Sequence, residues 1–221
     1  MKKQLLIFGA PGVGKGTQAK LIADKLEIAH ISTGDILREA VSKETEMGKL
    51  AKVIMEKGEL VPDNIMIGIV RDTLKEDKCS NGYILDGFPR TVKQAEMLDE
   101  ILKELNSNDI CLINIEVDNK LIIQRLSNRK MCTNCGSILS IDAIEEPERC
   151  PKCKAVGKLI KRKDDEVEVI KNRLEIYHNL TEPVLSYYKK KSIKIISVDG
   201  SKTIGDVNLT ILRELKGYYN I

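Results

Sequence analysis

Leu5–Leu26, LLIFGAPGVGKGTQAKLIADKL, runs from an apolar β-like stretch through a glycine-rich turn into a helical pattern. Gly9, Gly12, Gly14 and Gly16 let backbone N–H groups close around an anion, and the helix that follows turns its positive end toward the same point. Lys15 adds a mobile cation suited to the β and γ oxygens of a nucleotide. Four glycines framing a lysine between strand and helix form the context a phosphate-binding loop requires. The general form G-x-x-x-x-G-K-[ST] places a hydroxyl after the lysine. Here Gly16 takes that position and the hydroxyl follows one residue later, as Thr17.

Outward from this stretch, short apolar runs alternate with amphipathic helical patterns. The β-like runs are Gln4–Phe8, Ala29–Ile31, Tyr83–Leu85, Cys111–Val117 and Ile193–Val198. Thr91–Leu105 sets Val92, Ala95, Leu98, Ile101, Leu102 and Leu105 on one helical face. Further helices are expected over Lys15–Leu26, Asp63–Asp77, Asn119–Asn128, Glu166–Lys189 and Thr203–Leu215. This alternation predicts an α/β fold, a parallel sheet covered by helices on both faces. Ser32–Val61 and Asn128–Asp165 break it and read as insertions into one core.

Of 221 residues, 42% are apolar and 31% charged, the balance of a globular domain. A net charge of +3 is too small to imply a polyanion partner recognised by overall charge. The apolar run Leu5–Phe8 is too short for the core of a signal peptide, and no stretch is long enough to span a bilayer. A reducing, cytoplasmic setting is therefore expected.

Three more motifs lie on this frame. STGDILR (Ser32–Arg38) offers a hydroxyl and an arginine, GELVPD (Gly58–Asp63) closes the first insertion, and GYILDGFPRT (Gly82–Thr91) ends a buried strand in Asp86 before a Gly-Phe-Pro turn and Arg90. Singly, each has an ordinary explanation: Thr33 as a helix cap, Arg38 as a surface residue, Asp86 as a turn former. Thr91-x-x-Gln94 matches a capping box. Jointly they point elsewhere, because an acid at the end of a buried strand beside a phosphate loop suits a magnesium-holding carboxylate.

GAPGVGKGT, STGD and DGFPR, in this order and spacing, are similar to adenylate kinases, and the resemblance covers essentially the whole chain. It implies the P-loop nucleoside-monophosphate kinase fold, a five-stranded parallel sheet with two inserted subdomains. The core would comprise 1–31, 62–127 and 166–221, the acceptor-binding insertion 32–61 and a lid 128–165. It implies phosphoryl transfer from Mg²⁺-bound ATP to AMP, giving two ADP. At matching positions Gly12, Val13, Gly14, Lys15, Gly16 and Thr17 would hold ATP phosphates, and Asp86 the magnesium. Thr33, Arg38, Glu59, Leu60, Val61, Gly87, Phe88, Pro89, Arg90 and Gln94 would surround AMP. Arg129, Arg162 and Arg173 would converge on the transferred group, Arg162 and Arg173 also reaching AMP. Arg125 would stack near the ATP base, Lys202 would lie against adenine, and Ile138 and Leu139 would meet the ribose. The two histidines, His30 and His178, are expected to be structural, since an acceptor phosphate with a second pKa of about 6 needs no strong general base. A monomer acting on small nucleotides, with no nucleic-acid or membrane partner, is expected. A different donor or acceptor base, GTP or a pyrimidine monophosphate, remains the alternative.

Cys132, Cys135, Cys150 and Cys153 form C-x2-C-x14-C-x2-C, close to a four-thiolate zinc ribbon. Four thiolates fill a tetrahedral zinc and leave no open position, so a structural Zn²⁺ is expected. Asp142, Glu145, Glu146 and Glu148 against Arg149, with no aromatic residue in the loop, disfavour nucleic acid. Cys79 and Cys111 read as lone buried thiols. Leu139 and Ser140 stand where zinc-lid members commonly carry an aromatic residue and histidine, and Pro147 is the sole proline between the knuckles.

Overall fold

The computed structural model describes residues 2–105, 109–146 and 148–219; Pro147 lies outside them. In chain order the strands are β1 (Lys3–Phe8), β2 (Ala29–Ser32), β3 (Gly82–Asp86), β4 (Ile110–Glu116), β5 (Arg129–Cys132), β6 (Ile138–Ser140), β7 (Leu159–Ile160) and β8 (Lys194–Asp199). The α-helices are α1 (Lys15–Leu26), α2 (Thr33–Ser42), α3 (Glu46–Glu56), α4 (Asp63–Leu74), α5 (Val92–Glu104), α6 (Asn119–Ser127), α7 (Val167–Ile176), α8 (Glu182–Lys190) and α9 (Ile204–Tyr219).

β2, β3, β1, β4 and β8 pair in that order as a parallel sheet. Alternate side chains of β1 enter opposite cores: Leu5 and Ile7 pack with Ile113 and Ile211, whereas Leu6 and Phe8 pack with Leu85 and Leu98. The two-residue period of the strands thus yields two buried clusters, one on each face, as a sheet covered on both sides requires. The chain leaves β1 toward β2 at one edge and leaves the adjacent β4 toward β8 at the other, so the loop after β1 occupies the switch point where α/β sheets bind ligands. No helix among the described residues is long and apolar enough to cross a membrane.

Several elements depart from the sequence expectations. The single helix expected over Glu166–Lys189 is α7, a π-helical turn at Tyr177–Thr181, then α8. Pro183, in the first turn of α8, has no N–H to donate, and the wider turn absorbs the break in the ladder. The helix expected to reach Asp77 ends at Leu74 and is followed by a 3₁₀ turn at Asp77–Cys79. α9 extends past Leu215 to bury Tyr219. β5, β6 and β7 make a small antiparallel sheet that no apolar run announces, because these strands are two to four residues long and mostly only half-buried.

α2 and α3 stand together outside the main sheet. Ser32 caps α2 by accepting from the Asp35 N–H, and Thr45 caps α3 by accepting from the Gly48 N–H at 3.0 Å. Their contact requires Gly48, where an added Cβ would lie 2.0 Å from the Ala40 carbonyl oxygen. Gly48→Ala is expected to destabilise the protein by about 1–3 kcal/mol through overpacking against backbone. A chemical-denaturation midpoint unchanged from wild type would show that the helices separate without cost.

Candidate active site

The phosphate loop connects β1 to α1. Gly14, the residue before α1, has φ 102°, and an added Cβ there would meet nothing within 4 Å. Its left-handed conformation therefore serves the turn and leaves open space above the helix N-terminus, where an anion is favoured. Lys15 folds across the loop, its Nζ donating to the carbonyls of Gly9 (2.7 Å) and Ala10 (2.9 Å). Burial pushes its pKa down to about 7; Asp86 opposes that shift, and Arg90, Arg173 and Arg129 reinforce it. A Cβ on Gly16 would approach Asp86 Oδ2 to 3.2 Å. The buried Asp86 carboxylate thus borders the place where the general loop carries a Ser or Thr side chain.

Two clefts meet beside this loop. One is lined by Thr33, Arg38, Glu59–Val61, Gly87, Arg90, Gln94 and Arg173 among others. The second runs under the loop past Lys15, Phe88 and Pro89. Gly58, Leu60, Gly87, Arg90 and Arg173 line both. The hydroxyl of the buried Thr33 donates to the Asp86 carbonyl at 3.2 Å, holding the start of α2 on the end of β3. Arg90 Nε donates to the Gly87 carbonyl at 2.8 Å, and its own carbonyl accepts from the Thr181 hydroxyl at 2.9 Å. Gln94 fulfils half of the expected capping box, its N–H donating to Thr91 Oγ1 at 3.0 Å; its side-chain oxygen accepts from the N–H of Arg90 at 2.7 Å.

Three of the remaining arginines are held by acids. Arg129 donates through Nε (2.8 Å) and Nη2 (2.5 Å) to the two oxygens of Asp165, which is fully buried. Such a fork-to-fork pair fixes the guanidinium in plane as well as in place. Arg173 Nη1 reaches the Asp164 carboxylate at 2.9 Å and the Asp165 carboxylate at 3.3 Å. Arg38 pairs with Asp35 at 2.5 Å. Arg162 Nε is buried without a hydrogen-bond partner. Burial lowers Arg90 and Arg162 to about 10, with repulsion among the arginines adding to it. Arg90 and Arg162 remain cationic at neutral pH. Lys15, Arg38, Arg90, Arg129, Arg162 and Arg173 thus outnumber Asp35, Asp86, Asp164 and Asp165. Anions would redress the imbalance, and Asp86 is placed to accompany a cation.

Other anticipated residues lie apart from the clefts. Arg125 Nη1 donates to the Gly200 carbonyl at 2.9 Å, joining α6 to the loop that carries Lys202. Ile138 and Leu139 lie on β6, with Ile138 exposed. His30, read as structural, places Nε2 3.6 Å from Asp86 Oδ2. Asp164, Asp165 and Asp63 were not singled out from the sequence; their only signal was acidity near arginines or a helix start. Cys79 and Cys111 are buried free thiols, as expected.

The four knuckle sulfurs lie within 4.8 Å of one another. Cys132 and Cys153 Sγ are 3.6 Å apart, and Cys135 and Cys150 Sγ 3.8 Å. Zinc–sulfur bonds of about 2.3 Å in a tetrahedron put sulfurs about 3.8 Å apart, whereas a disulfide needs about 2.05 Å. The donor set and its spacing fit zinc. Asn134 Nδ2 donates to Cys153 Sγ at 3.5 Å, a neighbour that favours thiolate.

A phosphate loop at the switch point, joined to a second cleft through shared arginines, defines a nucleotide phosphotransferase of the P-loop kinase class. The model of the adenylate kinase family matches residues 7–193, and the chain belongs to that family. The adenylate kinase of Caldicellulosiruptor bescii is 47% identical over 216 residues, 96% of this chain and 98% of that protein. Those of Methanocella arvoryzae (48% identical) and Archaeoglobus fulgidus (49%) cover 94% and 92% of this chain and 96% and 93% of their own lengths.

The depressed pKa of Lys15 has a consequence for ligand-free protein. Between about 7 and 10.5 the unfolded chain holds a proton at this amine that the folded chain has released, so the contribution of Lys15 to stability rises with pH across that window. Below about 7 both states are charged and the cost of burying the ammonium is fully present. NMR titration of the Lys15 side chain should give a midpoint near 7, and Lys15→Met should flatten the stability–pH slope in this window; a midpoint near 10 would contradict it.

Proposed function

We propose that the shared Arg90–Arg173 junction is where two nucleotides meet through their phosphates, ATP on the phosphate loop and AMP in the cleft of Thr33, Arg38 and Gln94. The continuity of the two clefts through these arginines is the observation that carries this reading. The enzyme catalyses reversible phosphoryl transfer between Mg²⁺-bound ATP and AMP, forming two ADP, as an adenylate kinase does.

Phosphoryl transfer asks the protein chiefly for alignment and positive charge. The loop N–H groups and Lys15 hold the donor phosphates; binding restores charge to Lys15 by bringing an anion to a half-neutral amine. Arg38 and Arg90 hold the acceptor phosphate, while Arg129, Arg162 and Arg173 face charge developing on the transferred group. Asp86 holds the magnesium that accompanies ATP. Arg125 and the backbone near Lys202 form the donor-base side, with Ile138 and Leu139 against the ribose.

Residues 32–61 form the acceptor insertion, and 128–165 a lid whose closure excludes water. Zinc on Cys132, Cys135, Cys150 and Cys153 keeps the lid rigid and takes no part in the transfer. Because a single chain supplies both clefts, the enzyme acts as a monomer, with its thiols kept reduced in the cytoplasm.

ADP disproportionation tests the reading directly: purified protein given only Mg²⁺ and ADP should form ATP and AMP. Arg90→Ala and Arg129→Ala should each lower turnover by about 10³–10⁵-fold, the scale attributed to arginines on transferring phosphoryl groups. Near-normal turnover in both would remove the electrostatic assignment. Chelation of the metal should lower the melting temperature of the lid while folded protein retains turnover; inactive but fully folded metal-free enzyme would give the ion a larger part.

A further inference from the structure

Gln94 is 1% exposed yet lines the acceptor cleft, and its carboxamide is held from two sides. Its Oε1 accepts from the Arg90 N–H at 2.7 Å, and its Nε2 donates to Asp63 Oδ1 at 2.7 Å. These partners are chemically unambiguous: a backbone N–H only donates and an ionised carboxylate only accepts. Turning the amide over would set oxygen against carboxylate and N–H against N–H. A primary amide that has committed one lone pair and one N–H in this way retains one of each.

We propose that Asp63 is a specificity-determining positioning residue, which fixes the orientation of Gln94 so that the cleft accepts an amino-purine and rejects its oxo counterpart. This rests on the reading of the Gln94 cleft as the acceptor site. Adenine presents an amino donor beside a ring-nitrogen acceptor, matching a fixed acceptor–donor pair. Hypoxanthine presents a carbonyl acceptor beside a ring N–H and would need the amide reversed. Asp63 opens α4 and the bond crosses to the first turn of α5, so discrimination depends on a residue that need not touch the base.

The test compares kcat/KM for AMP with that for IMP. Wild type should strongly prefer AMP. Asp63→Asn replaces the pure acceptor with a group that can donate instead, removing one of the two oppositions to reversal. The AMP-to-IMP ratio should fall about ten- to a hundredfold, the worth of one charge-assisted hydrogen bond, chiefly through a lower KM for IMP. Asp63→Glu should restore the ratio. Asp63→Ser, whose hydroxyl donates or accepts and suits a helix start, gives the same readout if the asparagine variant does not fold. An unchanged ratio in the folded Asn or Ser variant, or a parallel loss for both substrates, would reduce Asp63 to a helix-start acid and overturn the proposal. Failure of wild type to phosphorylate AMP would instead overturn the assignment of the cleft.

Discussion

Five arginines and a Lys15 that titrates near 7 gather around two adjoining clefts, and the rest of the site depends on holding them there. Burial and mutual repulsion both work against such a cluster, which is why Lys15, Arg90 and Arg162 all lie below their usual pKa values. The protein offsets this with partners that position without fully neutralising. Carbonyls of Gly9 and Ala10 receive Lys15, the Gly87 carbonyl receives Arg90, and the Asp164–Asp165 pair receives Arg173 and Arg129. Donors kept in place in advance do not have to reorganise when charge develops, and that is the principal source of electrostatic catalysis.

The same constraint accounts for the irregular phosphate loop. A hydroxyl-bearing side chain directly after Lys15 would crowd the Asp86 carboxylate, as the 3.2 Å approach to a Cβ on Gly16 shows. Asp86 ends β3 with its backbone paired in register to Ile7 and Ser32, so the sheet itself fixes the carboxylate beside the loop. Removing a side chain from the loop is the simpler accommodation, and the hydroxyl moves to Thr17.

What the sequence revealed follows from how local each signal is. The phosphate loop and the five core strands were readable because glycine spacing and apolar runs act within a few residues of themselves. The Asp165–Arg129 and Asp63–Gln94 bonds were not, since each joins residues more than thirty positions apart and an acid beside basic residues looks like solvated surface. The π turn at Tyr177–Thr181 was missed for another reason: helical periodicity continues across it, and only Pro183 marked the break.

The small sheet of β5, β6 and β7 illustrates why sulfur chemistry stands where apolar packing would otherwise be. Ile138, Ile141, Val156 and Ile160 are all exposed, while Cys132 and Cys150 are fully buried. A segment this small cannot bury enough apolar surface to order itself, and metal ligation is the usual substitute. Each knuckle closes with a left-handed residue, Gly136 in the first and Lys154 in the second, whose N–H donates back to the leading cysteine carbonyl at 2.9 Å. Order is thereby concentrated around the sulfurs, and the apolar side chains stay at the surface. Arg129 lies three residues before the first knuckle and Arg162 nine after the last, so the two arginines flank the four-cysteine segment. A metal on these four sulfurs would stiffen the stretch between the two guanidiniums from within, with no apolar core of its own.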